Sequence, residues 1–225
     1  KLMKVFAILR DLRKLSLRLG LTNNEAELCQ FVEILSRLKS LNTLNLQLLS
    51  KYYSLGSIKN TALFDKLIVS IGTSPSLKSL DLELGLALTS KLISGLSDAL
   101  KDVKNSLQHL KIKSNSFTSK ECLMVLEFIL SFRQLETLHF YSSYIYLEDL
   151  QSENSRKVFF ELTSLKALTL RYDSGCKNNP LDLFQIPFQT LAGLTSLHLV
   201  LPALFRITTA VKFAEWLSKF PQLVN

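Results

Sequence analysis

Residues 77–84 read Leu-Lys-Ser-Leu-Asp-Leu-Glu-Leu, and the fold turns on how that short stretch is understood. Leu80, Leu82 and Leu84 alternate with Asp81 and Glu83, the period-two pattern of a strand with one buried and one wet face. Leu77 stands three residues ahead of the alternation, so the segment has the form L-x-x-L-x-L. The same form recurs as Leu12-Leu15-Leu17, Leu41-Leu44-Leu46, Leu107-Leu110-Ile112, Leu135-Leu138-Phe140, Leu165-Leu168-Leu170 and Leu194-Leu197-Leu199. An eighth copy opens at Leu223. Successive first leucines are 29, 36, 30, 28, 30, 29 and 29 residues apart. Self-similarity at such a period marks a chain of stacked units.

About ten residues after each strand motif the apolar spacing becomes helical. Leu28, Val32 and Leu35 stand at i, i+4, i+7, as do Cys122, Leu126 and Ile129, and again Phe213, Leu217 and Phe220. Thr22 with Glu25, and Thr118 with Glu121, have the spacing of capping boxes at the starts of two such helices. Each unit is therefore one short strand, a turn, one helix and a return loop. Neither element can bury its apolar face alone, so the units must stack into a solenoid.

These residues resemble the leucine-rich repeats of the ribonuclease-inhibitor-like type, over essentially the whole chain. The family pattern places Asn or Cys three residues after the last strand leucine, and only Asn115 satisfies that here. The other copies carry Gly20, Leu49, Gly85, Ser143, Asp173 and Pro202, so this is a divergent array. The resemblance implies an α/β horseshoe with a parallel sheet on its concave side, helices on its convex side, and a role in gripping other proteins. One strand per repeat predicts a parallel sheet of seven or eight strands, and the crossover rule predicts a right-handed coil. One leucine-rich repeat domain is expected over residues 1–225, about seven repeats long. Residues 1–10, with Leu2, Val5, Phe6 and Leu9, read as the helix of a preceding repeat, and Phe220-Pro221-Gln222-Leu223 opens a following one. Neither end carries a polar cap, so the domain is expected to be part of a longer array.

Composition agrees and excludes other classes. Leucine supplies 50 of the 225 residues, more than twice its usual share, as a repeated leucine core demands. Charged residues at 20% and hydrophobic ones at 47% exclude a disordered polar tail, and 7 Gly with 5 Pro exclude collagen-like and linker sequences. No apolar run approaches the roughly 18 residues of a membrane span, and no secretory signal is legible. Cys29, Cys122 and Cys176 are too few and too far apart for a disulfide framework. Cys29 and Cys122 are expected to be buried free thiols on apolar helix faces. With no Asn-x-Ser/Thr acceptor in the chain, an intracellular setting, cytoplasmic or nuclear, is the expectation.

Enzymatic motifs are missing: there is no Gly-rich phosphate loop, no G-x-S-x-G, no H-E-x-x-H and no C-x-x-C. No catalytic residue, cofactor or metal is expected. The polar positions of the strands instead define an outward face in three columns. The first is Lys14, Thr43, Ser79, His109, Thr137, Ala167 and Ser196. The middle one is Ser16, Asn45, Asp81, Lys111, His139, Thr169 and His198. The third is Arg18, Gln47, Glu83, Lys113, Tyr141, Arg171 and Val200. Five cations and two anions give the face a net +3. Asp81 and Glu83 oppose Lys111 and Lys113 on the next strand, which reads as a cross-strand ion ladder. His139 and His198 share a column two repeats apart, about 10 Å at the usual strand spacing, too far to hold one metal ion.

Tyr141, Tyr144, Tyr146 and Tyr172 gather around the fifth and sixth strands, either as interface anchors or packed against neighbouring loops. The 36-residue second repeat places an insertion in Ser50–Asn60, a contact loop or simple length drift. The function these features predict first is a non-catalytic protein-binding scaffold, with a partner-binding surface of Lys111, Lys113, His139, Tyr141, Arg171 and Tyr172. A second reading is the recognition or sensor module of a larger regulator, such as a ubiquitin-ligase adaptor, a nucleotide-binding receptor or a kinase. The third is nucleic-acid binding, motivated by the net charge of +8 but opposed by the carboxylates on the same face.

Overall fold

A computed structural model of the chain describes residues 11–20, 25–49, 61–84, 89–114, 119–142, 162–172 and 193–200, together with 211, 214, 215, 217, 218 and 223. Each alternating leucine segment is a strand: β1 (Lys14–Gly20), β2 (Thr43–Leu49), β3 (Ser79–Leu84), β4 (His109–Ser114), β5 (Thr137–Ser142), β6 (Ala167–Tyr172) and β7 (Ser196–Val200). Helices α1 (Glu25–Arg37), α2 (Thr61–Ile71), α3 (Ser90–Ala99) and α4 (Ser119–Leu130) separate the first five strands. A 3-10 turn over Lys101–Val103 follows α3. The chain is α/β, with one seven-stranded sheet in the order β1-β2-β3-β4-β5-β6-β7.

All six pairings are parallel, and each sets motif against motif: Leu15↔Leu44↔Leu80↔Leu110↔Leu138↔Leu168↔Leu197. The long second repeat does not shift the register, because Leu44 still meets Leu80. A one-residue slip would turn every leucine to the wrong face, so burial itself locks the pairing. The proposed insertion at Ser50–Asn60 lies outside the described residues.

A second ladder runs along the entry edge of the sheet. The carbonyl of Arg13 accepts from the N–H groups of both Asn42 and Thr43, and Asn42 accepts from Lys78 and Ser79 in the same way. Lys78, Gln108, Glu136 and Lys166 repeat the arrangement toward the following strands. Serine hydroxyls add stitches between neighbouring repeats: Ser76 Oγ donates to Leu41 O at 3.3 Å and Ser106 Oγ to Leu77 O at 3.0 Å. Buried Ser74 donates to the carbonyl of Leu38. Turns in which every backbone polar group finds a partner can pack densely without an unsatisfied donor.

The core lies between the sheet and the helices. Leu46, Leu82, Ile112, Phe140 and Leu170 are buried from the strands, and Leu35, Leu67, Ile93, Leu96 and Ile129 from the helices. The first leucine of the motif seals each unit: Leu41, Leu77, Leu107, Leu135, Leu165 and Leu194 are all at most 1% exposed. α1 packs against α2, α2 against α3 and α3 against α4. At the seam between α2 and α3, a Cβ on Gly72 would stand 1.8 Å from the Ala99 carbonyl oxygen, so only glycine fits there. Thr89 caps α3, its side-chain oxygen accepting from Leu92 N at 3.4 Å. Among the described residues no helix is long and apolar enough to cross a membrane.

One expectation is corrected. Cys29 is exposed, not buried. The reason is the phase of α1: its buried stripe is Phe31, Ile34, Leu35 and Leu38, whereas Leu28 and Val32 are only partly covered. That stripe follows i, i+3, i+4, i+7 starting at Phe31, which turns Cys29 to solvent. Leu126 and Ile129 of α4 are buried as the spacing predicted, and Leu217 packs partly against the core. The side chain of Cys122, the threonines of both proposed capping boxes, Asn115, Cys176, residues 1–10, Phe213 and Phe220 lie outside the described residues.

Candidate functional site

Because the register holds across all seven strands, the polar residues between the leucines form three straight columns on the open face of the sheet. Period-two alternation points them away from the core, and parallel pairing sets successive members one strand spacing apart. The columns are those the motif spacing predicts, residue for residue.

The centre of this face is occupied by a connected cluster on β3, β4 and β5. Lys111 Nζ donates to Asp81 Oδ2 at 2.8 Å, and Lys113 Nζ to Glu83 Oε1 at 2.6 Å. Both pairs are partly exposed, so each contributes on the order of 0.2–1 kcal/mol. Lys111 Nζ also lies 5.9 Å from the centroid of the Tyr141 ring, at the outer limit of a cation–π contact. Tyr141 in turn stacks on His139, the centroids 6.4 Å apart and the planes 9° from parallel. Residues two apart on a strand share a face, which is why His139 and Tyr141 meet. A single lysine thus ties the carboxylate of β3 to the aromatic pair of β5.

Three buried polar atoms in the middle column, Asn45 Oδ1, Asp81 Oδ1 and His139 Nδ1, have no hydrogen-bond partner among the described residues. Buried polar atoms are nearly always paired, and an unpaired one is costly. Burial, and then the charge of Lys111, hold the His139 imidazole below its ordinary pKa, while Asp81 pulls the other way. The surroundings of His139 thus favour the neutral form of its ring, beside the Lys111 cation. On the rim next to the columns, Lys166 Nζ donates to Glu136 Oε2 at 2.9 Å, and that bond and charge hold the Glu136 carboxyl below its ordinary range.

Of the six residues singled out by sequence, the structure brings together Lys111, Lys113, His139, Tyr141 and Arg171. Lys113, Tyr141 and Arg171 follow one another in a single column, and Arg171 is exposed. Tyr172 pairs with Ser142 in a different column, the one that holds buried Leu84 and Ser114. Its register position is thus inward, one step off the open face, because it directly follows the outward Arg171. Its side chain, like Tyr144 and Tyr146, lies outside the described residues. Sequence reasoning missed the rim pair Glu136–Lys166 and the orphaned atoms of the middle column. The first was within reach, since the position two residues before each strand's first inward leucine forms its own column. The second depends on side-chain packing that no spacing rule encodes. Among the described residues no three His, Cys, Asp or Glu side chains are placed to share a metal ion. No family model matches the chain, and no curated protein matches it.

Proposed function

We propose that the chain is a leucine-rich repeat array of the ribonuclease-inhibitor-like type, a horseshoe with its sheet concave and its helices convex, and that it is a non-catalytic scaffold for binding another protein. The observation that carries the proposal is the ordered cluster of Lys111, Tyr141 and His139, open to solvent on one face of a sheet whose other face is sealed by leucine. Aromatic and cationic side chains held in place before a partner arrives lose little entropy when it does, which favours binding hot spots. The contact surface is assigned to Lys111, Lys113, His139, Tyr141 and Arg171, with Tyr172 at the strand end beside it. Three dispersed cysteines and the lack of an Asn-x-Ser/Thr acceptor support an intracellular setting, cytoplasmic or nuclear.

The test compares two double variants in capture of partners from the source cell. Tyr141→Ala with Arg171→Ala removes the open-face anchors, and Lys101→Ala with Lys104→Ala removes two cations near the end of α3. The first pair should keep the fold and weaken capture by roughly 1–3 kcal/mol, and the second should change little. Loss confined to the second pair would move the interface away from the sheet and refute the assignment.

A further inference from the structure

We infer that this face takes up a tyrosine or tryptophan side chain of the partner protein, its ring laid on the His139–Tyr141 pair and its O–H or N–H donated to a carboxylate oxygen of Asp81; this rests on the protein-binding role proposed above. Two independent features meet at the site. The first is a π surface. The rings of His139 and Tyr141 lie 9° from parallel, and both side chains are half-buried, so part of each remains open to solvent. An aromatic ring added to such a pair gains more than the area it buries. Lys111 Nζ, 5.9 Å from the Tyr141 centroid, brings a cation to the same spot, which suits the negative face of an incoming ring.

The second feature is an acceptor that lacks a donor. Asp81 accepts from Lys111 through Oδ2 at 2.8 Å, while its Oδ1 is buried without a partner, as is Oδ1 of Asn45, its neighbour in the column. A buried acceptor left unpaired is costly, so a ligand that supplies a donor there recovers that loss. Both side chains are only half-buried as a whole, and a small turn of either brings its oxygen to the surface. The ammonium that reaches the Tyr141 ring is the one bound to Asp81, so carboxylate and ring lie within the span of one aromatic side chain. Phenylalanine offers the ring without the donor, and leucine offers neither. An arginine guanidinium offers donors but meets the like charge of Lys111. A nucleobase also stacks, but it arrives joined to phosphates, which Asp81 and Glu83 on the same face repel.

Titration of the 225-residue chain with N-acetyl-tryptophanamide, followed by proton NMR, tests this directly. A ring laid on the pair moves the ring C–H resonances of His139 upfield, and their loss in His139→Gln identifies them. A saturable upfield shift is expected with the tryptophan probe and none with N-acetyl-leucinamide. Tyr141→Leu should weaken binding about fivefold, whereas Tyr141→Phe, which keeps the ring, should stay within about twofold of the parent. Methylating the indole nitrogen of the probe removes the donor, and should weaken binding to the parent about tenfold but leave binding to Asp81→Ala unchanged. The loss in the parent comes from a change in the probe, so misfolding of a variant cannot mimic it. Absence of a saturable shift, an equal shift from the leucine probe, equal losses on methylation in parent and Asp81→Ala, or tighter binding of an oligothymidylate than of the tryptophan probe would overturn the inference. If the probe fails while Tyr141→Ala with Arg171→Ala still weakens partner capture, the aromatic ligand is wrong and the scaffold role stands. If both fail, the open face is not an interface.

Discussion

On the buried side of the sheet one column reads Leu17, Leu46, Leu82, Ile112, Phe140, Leu170, Leu199; one residue away, on the open side, it reads Ser16, Asn45, Asp81, Lys111, His139, Thr169, His198. The same backbone ladder holds both. An inward side chain must meet its equivalents on the strands to either side at a fixed spacing of about 4.8 Å, so one shape recurs in every repeat. An outward side chain meets water and its column neighbours, and its chemistry can differ from strand to strand at little cost to stability. Repetition is thus the mark of packing, and departure from it is where recognition can be written.

The sharpest way to break this contrast is to exchange the rules of the two faces on one strand. Leu168 is 1% exposed, and Leu168→Asp would place a carboxylate in a stacked apolar column without a partner. A loss of several kcal/mol is expected, a large part of the 5–15 kcal/mol that holds a domain together. Thr169→Asp, its neighbour on the open face, should change stability by about 0.5 kcal/mol or less. Chemical denaturation of the two variants measures both, and parent-like melting of Leu168→Asp would remove that residue from the core.

A smaller effect separates two glycines on the helix side. Gly72→Ala would force a methyl to within 1.8 Å of the Ala99 carbonyl oxygen, so the ends of α2 and α3 must part, costing roughly 1–3 kcal/mol. At Gly95, inside α3, a Cβ would meet only Ile68 Cγ2 at 3.8 Å. Gly95→Ala should therefore stabilise, by about 0.5–1 kcal/mol, since a helix interior favours alanine. Opposite shifts in melting temperature are expected; shifts of the same sign would contradict the close approach at Gly72.

The leucine motif made the strands, their parallel order and their register legible, because each depends on period and parity alone. Asp81–Lys111 and Glu83–Lys113 followed from the same counting, as adjacent members of two columns. What the sequence reading missed depends on rotation and reach. The helix phase that exposes Cys29 is set by Phe31, Ile34, Leu35 and Leu38 packing together, and a stripe drawn through Leu28 and Val32 fits the spacing nearly as well. Tyr172 was grouped with Tyr141 by proximity in the chain, although parity alone assigns it to the inward column. The reach of Lys111 toward both Asp81 and Tyr141 needed coordinates, since a flexible side chain can lie along either diagonal.

The finest test of the contrast concerns His139, which stands on the open face yet is partly withdrawn from water. Its pKa lies below the ordinary 6.5, first because of burial and second because of Lys111, with Asp81 opposing. The folded chain thus prefers the neutral ring, and the unfolded chain takes up a proton at higher pH. The stability this contributes is fully present above the ordinary pKa and is lost as pH falls through the folded-state value. Glu136 does not obscure the window: its carboxyl is held below 4.5 by Lys166, so its contribution persists until the pH enters the carboxylate range. Between about pH 7.5 and about pH 5.5 the parent should therefore lose more thermal stability than His139→Gln. Lys111→Met should reduce that loss without abolishing it, because burial is the larger cause and remains. Equal slopes for parent and His139→Gln would mean that the imidazole is solvated like any surface ring, and that the open face is uniform after all.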